Sequence, residues 1–226
     1  MVGTTLHLFL GLMMKINIEI IQQALIHHPK KIESLNEKEL ITKMMIRRRL
    51  SRSSKILVYL ADACAFTQGT MVYGSAYGEI LDTASILESI RDEESVSPSA
   101  FQNSVYNTAA SYHSIIHQNS AEILTLSCGG ETSYRVMQQG ALTLLKEDEV
   151  FVACVEAVNF EGIKSLNSCF MELEYGLAFR LKKTDKKANI LMQNQAQHGV
   201  PNSLLWMKNL YDLCQMQENP VIEIEL

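Results

Sequence analysis

The stretch SPSAFQNSVYNTAASYHSIIHQNSAEILTLSCGGETSYRVM, residues 97–137, decides how this chain folds. Small and apolar residues at helical spacing predict a helix over 104–117, and an apolar run predicts a strand over 122–127. The tight turn Cys128-Gly129-Gly130 then delivers the chain to a second helix over 131–146, which opens at Glu131 or Thr132. Strand, sharp turn and helix bring Cys128 and Glu131 to a helix N-terminus, where the first backbone N–H groups lack intrahelical partners. Those groups and the helix dipole stabilise negative charge, so they activate a thiol or hold a carboxylate.

Outward from this block, strands and helices alternate. Leu50–Phe66 sets Ile56, Leu57, Leu60, Ala63 and Cys64 at helical spacing, and TMVYGS, residues 70–75, reads as a strand. Glu79–Arg91 repeats the helical pattern, and the acidic, Ser- and Pro-containing 92–99 reads as a surface loop. VFVACVEAV, residues 150–158, has the near-continuous apolar run of a strand buried on both faces. A loop over 159–167 leads to two expected strands, 172–181 and 188–194, joined by the basic turn KKTDKK. A helix over 203–215 and a strand VIEIEL close the chain. Residues 15–46 read as one or two short helices around Pro29, and the apolar MVGTTLHLFLGLMM before them as a buried first strand. The alternation implies an α/β layered domain with a mixed sheet.

Composition bounds the function classes. A chain of 226 residues favours one domain, and 47% hydrophobic against 20% charged residues supports a sizeable core. The net charge of −5 argues against general nucleic-acid binding. The five cysteines (Cys64, Cys128, Cys154, Cys169, Cys214) are scattered with no CxxC pair, the usage of a reducing compartment. The apolar N-terminal run lacks a basic flank and a small-residue cleavage site and is too short to span a bilayer, so a cytoplasmic protein is expected. His27-His28 has no companion ligands and no glycine loop suits a phosphate, so neither metal nor cofactor is expected.

Several blocks, in order and spacing, suggest a family: RRRLSRSSK (47–55), SAYGEI (75–80), SPSAF (97–101), SVYNTAASY (104–112) and CGGETSY (128–134). Together they resemble the small beta-ketoacyl synthase-like proteins, relatives of the chain length factors. The resemblance runs from about Arg47 to Val158 and more weakly into GLAFRL, residues 176–181. It implies the N-terminal half of the thiolase fold, a central mixed sheet with helices on both faces. The expected single domain has its core over about 47–194, flanked by 1–46 and 195–226. A complete condensing enzyme of this family has a second such half, packed back to back, which carries two catalytic histidines. His198, in QAQHGVPN, resembles neither histidine motif.

The turn aligns with the family in two ways. Matching strand to strand brings Cys128 to the nucleophile position; matching the Asn107 helix and the Gly-Glu pair brings Glu131 there without a gap. The second is favoured, and a carboxylate cannot carry a thioester; it would cap the helix instead. Cys128 stays the one candidate nucleophile, with His113 and His117 as candidate partners, against the structural reading of a small buried thiol. Gly129 and Gly130 need no role beyond the turn. Asn107 is expected to be a buried hydrogen-bonding residue. Arg47, Arg48, Arg49 and Arg52 are either a contact for an acidic acyl carrier protein or a helix-start cluster paired with local carboxylates. The expected function is a non-catalytic, chain-length-factor-like subunit for fatty-acid, polyketide or aryl-polyene-type chain extension. The alternative is a Cys128-dependent acyltransferase or condensing enzyme completed by a partner. Expected partners are an acyl carrier protein, a full-length ketosynthase or a second copy, because a helical face covered by the second half in complete enzymes would otherwise lie open.

Overall fold

The computed structural model describes residues 14–159, 173–193 and 195–226. The expected strand over 1–14 and most of the loop over 159–167 lie outside these residues. The chain opens on β1 (Lys15–His28), where short helices were expected. Ile16, Ile18 and Ile20 alternate with polar residues and are buried, the period-2 pattern of a strand. A bulge between Ile20 and Gln22 shifts the phase. Before it the buried isoleucines face one core; after it Ala24 and Ile26 face the other.

Two single-turn helices, α1 (Glu37–Leu40) and α2 (Met44–Arg47), lead into α3 (Arg52–Ala63). The Ser51 hydroxyl starts α3 by accepting the Ser54 N–H at 3.1 Å. β2 (Met71–Gly74), α4 (Ile80–Arg91), α5 (Pro98–Asn103) and α6 (Thr108–His117) follow. The helix expected over 104–117 is thus confined to α6, because the turn over 104–107 separates it from α5. β3 (Ile123–Leu126), α7 (Thr132–Thr143), β4 (Glu149–Val158) and β5 (Leu173–Lys183) complete the alternation, before α8 (Asn202–Cys214) and β6 (Val221–Glu225). Among the described residues, the strand expected over 188–194 is reduced to one bridge, Ile190 to Ile222, where Ile190 is buried while Leu191 is left exposed.

The sheet order is β3-β2-β4-β5-β1-β6. β2 runs parallel to β3 and β4, and the other pairings are antiparallel, so the sheet is mixed as expected. β1 lies inside the sheet and β6 forms its edge, so the core extends at both ends beyond the expected 47–194. On β4, Phe151, Ala153 and Val155 face α3 and α6, while Val150, Val152 and Cys154 face α7 and α8. On the first side Ile56, Leu57 and Leu60 of α3 are fully buried, each contributing roughly 1.5–3 kcal/mol. On the second, α8 packs along α7. Among the described residues no helix is long and apolar enough to cross a membrane.

Candidate functional site

β3 ends at Leu126, and the elbow follows. Cys128 and Gly129 lead into a single 3-10 turn, Gly129–Glu131, and α7 opens at Thr132. Gly129 has φ +55, a left-handed conformation that glycine adopts without strain. Thr132 is fully buried and locks the turn: its hydroxyl accepts the Cys128 N–H at 3.0 Å and donates to the Gly129 carbonyl at 2.8 Å. Behind it, β2 approaches α7 so closely that a Cβ on Gly74 would stand 2.5 Å from a Val136 methyl.

The elbow opens onto a cleft of about 600 Å3 lined by Gly130, Glu131, Tyr134, Asn202, Leu205 and Trp206. Tyr134 and Trp206 meet with ring centroids 5.7 Å apart. Cys128 is exposed rather than buried. The Glu131 carboxylate does not cap α7, as expected from its position, but turns outward to Arg135 at 2.8 Å one helical turn along. That exposed pair satisfies the carboxylate while the Thr132 hydroxyl ties the turn.

His113 and His117 do not reach Cys128. The His117 carbonyl accepts from Gln68, and the Asn119 side chain pairs with the backbone of Gly69, both just before β2. Cys128 follows the opposite end of the parallel β3. His113 is fully buried, stacked on Phe66 at 5.4 Å and tilted against His117 at 4.5 Å. Burial pushes its imidazole down to about 4, with the neighbouring His117 acting in the same direction. His198 lines a separate cleft with His28, Tyr175 and Lys208.

The four arginines divide. Arg52 donates its Nε to Glu174 at 2.6 Å and Nη2 to the Ile32 carbonyl at 3.0 Å, and Arg47 donates to the Ile41 carbonyl at 2.7 Å. Both are engaged by partners within the fold. Arg48 and Arg49 are exposed without an ion-pair partner among the described residues. Asn107 is exposed and its side chain caps nothing, contrary to the expectation of a buried residue. In this segment the buried asparagine is instead Asn103, which donates to the Arg49 carbonyl at 2.9 Å and accepts from the Tyr112 hydroxyl at 3.3 Å. Its place at the end of α5, facing inward where α6 turns away, decides the difference.

Two buried acids behind the elbow were not singled out from the sequence. Glu156 on β4 accepts from the Ser75 hydroxyl at 2.8 Å and the Ala76 N–H at 2.7 Å, and so holds the loop after β2. Burial raises its pKa, against the pull of those hydrogen bonds. Glu79 accepts from the Ser51 hydroxyl at 2.8 Å and is pushed up to about 7, chiefly by burial. A lone acid inside the apolar run VFVACVEAV was the available signal for Glu156.

The family model of the beta-ketoacyl synthase N-terminal domain matches residues 23–215. A comparison with curated proteins found no match. Among solved structures, the chain is similar to the ketosynthase ApeO in complex with its chain length factor ApeC from Xenorhabdus doucetiae. Identity there is 17% and the TM-score 0.61, over 74% of this chain and 79% of that one. It is similar to the ishigamide ketosynthase/chain length factor at 11% identity and TM-score 0.56, over 70% of this chain and about half, 50%, of that one. A beta-ketoacyl synthase from Burkholderia phymatum STM815 aligns at 9% identity and TM-score 0.55, over 75% of this chain and 60% of that one. At these identities the likeness is one of fold, the thiolase-like α/β arrangement expected from the sequence blocks.

Proposed function

The chain belongs to the family of beta-ketoacyl synthase N-terminal domains, and from that membership we propose that it is a non-catalytic, chain-length-factor-like subunit. It would assist a ketosynthase, in the cytoplasm, in extending carrier-bound chains of the fatty-acid, polyketide or aryl-polyene type. The observation that carries this reading is the separation of functional groups: the elbow thiol stands at one end of the sheet and His113 and His117 at the other. A condensing thiol needs acid/base partners within hydrogen-bond reach, and among the described residues those lining the elbow cleft include no imidazole. Glu131, taken as the nucleophile-position equivalent, carries a carboxylate that forms no acyl thioester.

α8 supports the same reading. It lies along α7, the helix that the elbow opens, and its Trp206 and Leu205 line the elbow cleft. Of the four arginines, Arg48 is neither bonded within the fold nor part of an apolar groove, and it is the proposed contact for an acidic acyl carrier protein.

The second reading is a Cys128-dependent acyltransferase completed by a partner's histidines, and the exposure of Cys128 favours it. The two separate on incubation with acyl-carrier-protein thioesters followed by intact-mass measurement. A non-catalytic subunit gives no acyl adduct, alone or with a ketosynthase, yet changes the product lengths that the ketosynthase releases. An adduct lost in Cys128→Ala establishes the enzyme instead.

A further inference from the structure

We propose that α4 is a hinged element latched by the Glu79 side chain to the start of α3, docked while that carboxyl keeps its proton and released when it ionises. α4 buries none of its own residues; it packs chiefly against α5 and only touches β4. A helix without a buried face owes its position to its ends. The chain before it is pinned as far as Gly78. Glu156 accepts from the Ser75 hydroxyl at 2.8 Å and the Ala76 N–H at 2.7 Å, and the Ser75 hydroxyl accepts the Gly78 N–H at 2.9 Å. Gly78 lies under the Tyr106 ring with φ +57, a left-handed conformation that suits a pivot. Past the other end of α4, residues 92–97 are exposed apart from half-buried Val96, and Glu93 again stands at φ 58. Among the described residues from 79 to 97, Glu79 alone is buried.

The latch joins two helix starts. The Ser51 hydroxyl accepts the Ser54 N–H at 3.1 Å, which caps α3, and donates to the Glu79 carboxyl at 2.8 Å, one residue before α4. The surroundings of that carboxyl suit a neutral acid. It is 6% exposed, and the groups that bear on it are the hydroxyls of Ser51 and Ser53 from α3 and the Asp82 carboxyl from α4. From β2 the Tyr73 phenol faces it, with Glu156 and Cys154 of β4 beyond. α5 offers no titratable side chain. Arg49 bears on Tyr112, as Asp82 does, and is not among the groups acting on Glu79. Burial holds the docked carboxyl at about 7 against 4.5 for a free one, and raises Asp82 in the same direction. Ionisation therefore favours the released helix, where water reaches the charge. The docked state is preferred most strongly below 4.5 and loses ground as pH rises through 7. Release withdraws Ile80 from the core that carries Val136 and Cys154 behind the elbow.

This inference stands apart from the proposed function, and its test uses the chain alone. Hydrogen exchange of the full chain, read by mass spectrometry, is corrected for the intrinsic pH dependence of amide exchange. The α4 amides should then open roughly fiftyfold more at pH 7.5 than at pH 5. Little dependence on urea below the unfolding transition should mark that opening as local. Glu79→Gln, which keeps an oxygen for Ser51, should hold α4 closed and flatten the change, whereas Asp82→Asn should leave most of it in place. α4 amides without pH-dependent opening overturn the proposal. So does a pH effect that survives in Glu79→Gln, or an acceleration steep in urea and shared equally by α7.

Discussion

Arg52 and Glu174 are joined by two parallel hydrogen bonds, Nε to Oε1 at 2.6 Å and Nη2 to Oε2 at 2.5 Å, which tie the first turn of α3 to the first residues of β5. The Glu174 side chain is fully buried, and it also accepts the Ile32 N–H at 2.8 Å and the Asn159 amide at 3.0 Å. Arg52→Met strands that carboxylate and should destabilise the chain by about 3 kcal/mol, the low end for a buried pair, because the Arg52 side chain keeps 19% of its surface in solvent. Arg52→Met combined with Glu174→Gln should recover most of the loss. Urea denaturation of the three variants measures both effects.

His113 makes the fold sensitive to acid. Its pKa falls from an unfolded value of 6.5 to about 4 in the fold, so the folded state favours the neutral ring. The stability this confers is complete above 6.5 and is lost as pH drops from 6.5 towards 4, amounting to about 3 kcal/mol at most. His117, also lowered by burial, acts in the same direction. His113→Phe should flatten this part of the stability–pH curve, measured as the difference from wild type between pH 4 and 6.5.

Glu79 titrates in the opposite sense. Its carboxyl is raised from 4.5 to about 7, so its contribution is complete below 4.5 and lost as pH rises through 7. Glu79→Gln keeps an oxygen to accept from Ser51 and removes the buried charge. Its melting temperature should match wild type near pH 4.5 and exceed it above pH 7, by the equivalent of about 1–3 kcal/mol.

Two glycines at the elbow should respond differently to alanine. Around Gly129 there is open space, so Gly129→Ala meets only the left-handed backbone, roughly 1–2 kcal/mol. Gly74→Ala drives a methyl to 2.5 Å from Val136 and 2.8 Å from Thr132, and should lose about 3 kcal/mol or more by overpacking. Thermal melts of the pair give the order directly.

Arg48→Glu should weaken binding of an acyl carrier protein roughly tenfold, with an effect that shrinks as salt rises. Arg48→Ala should have a smaller effect of the same sign. Fluorescence titration at two ionic strengths checks both, and a salt-independent loss would point to a role other than carrier contact.

The middle of the chain was legible because its elements are locally self-sufficient. β4 is an unbroken apolar run, α3 carries its own serine cap, and the Cys-Gly-Gly turn needs the left-handed residue that it has. β1 was misread because the bulge after Ile20 exchanges the faces on which Ile20 and Ala24 lie, which breaks the alternation that marks a strand. At the site, residue type revealed the elbow but not what its members touch. Glu131 pairs outward with Arg135, Arg52 turns inward to Glu174, and Asn103 takes the burial expected of Asn107. The last two outcomes depend on a neighbour distant in sequence or on the angle between two helices, which spacing does not show, whereas the Glu131–Arg135 pair is an i,i+4 spacing that the sequence carries.

The placement of β1 between β5 and β6 also sets an order of events in synthesis. Lys15 pairs with Glu225 and Ile18 with Lys183, so β1 finds its mates only among residues far along the chain. A nascent chain must keep three apolar side chains, Ile16, Ile18 and Ile20, unsheltered until those distant strands have emerged. A chain interrupted before Val221 would leave β1 paired with β5 but without its β6 neighbour, an open edge for chaperones or intermolecular strand pairing.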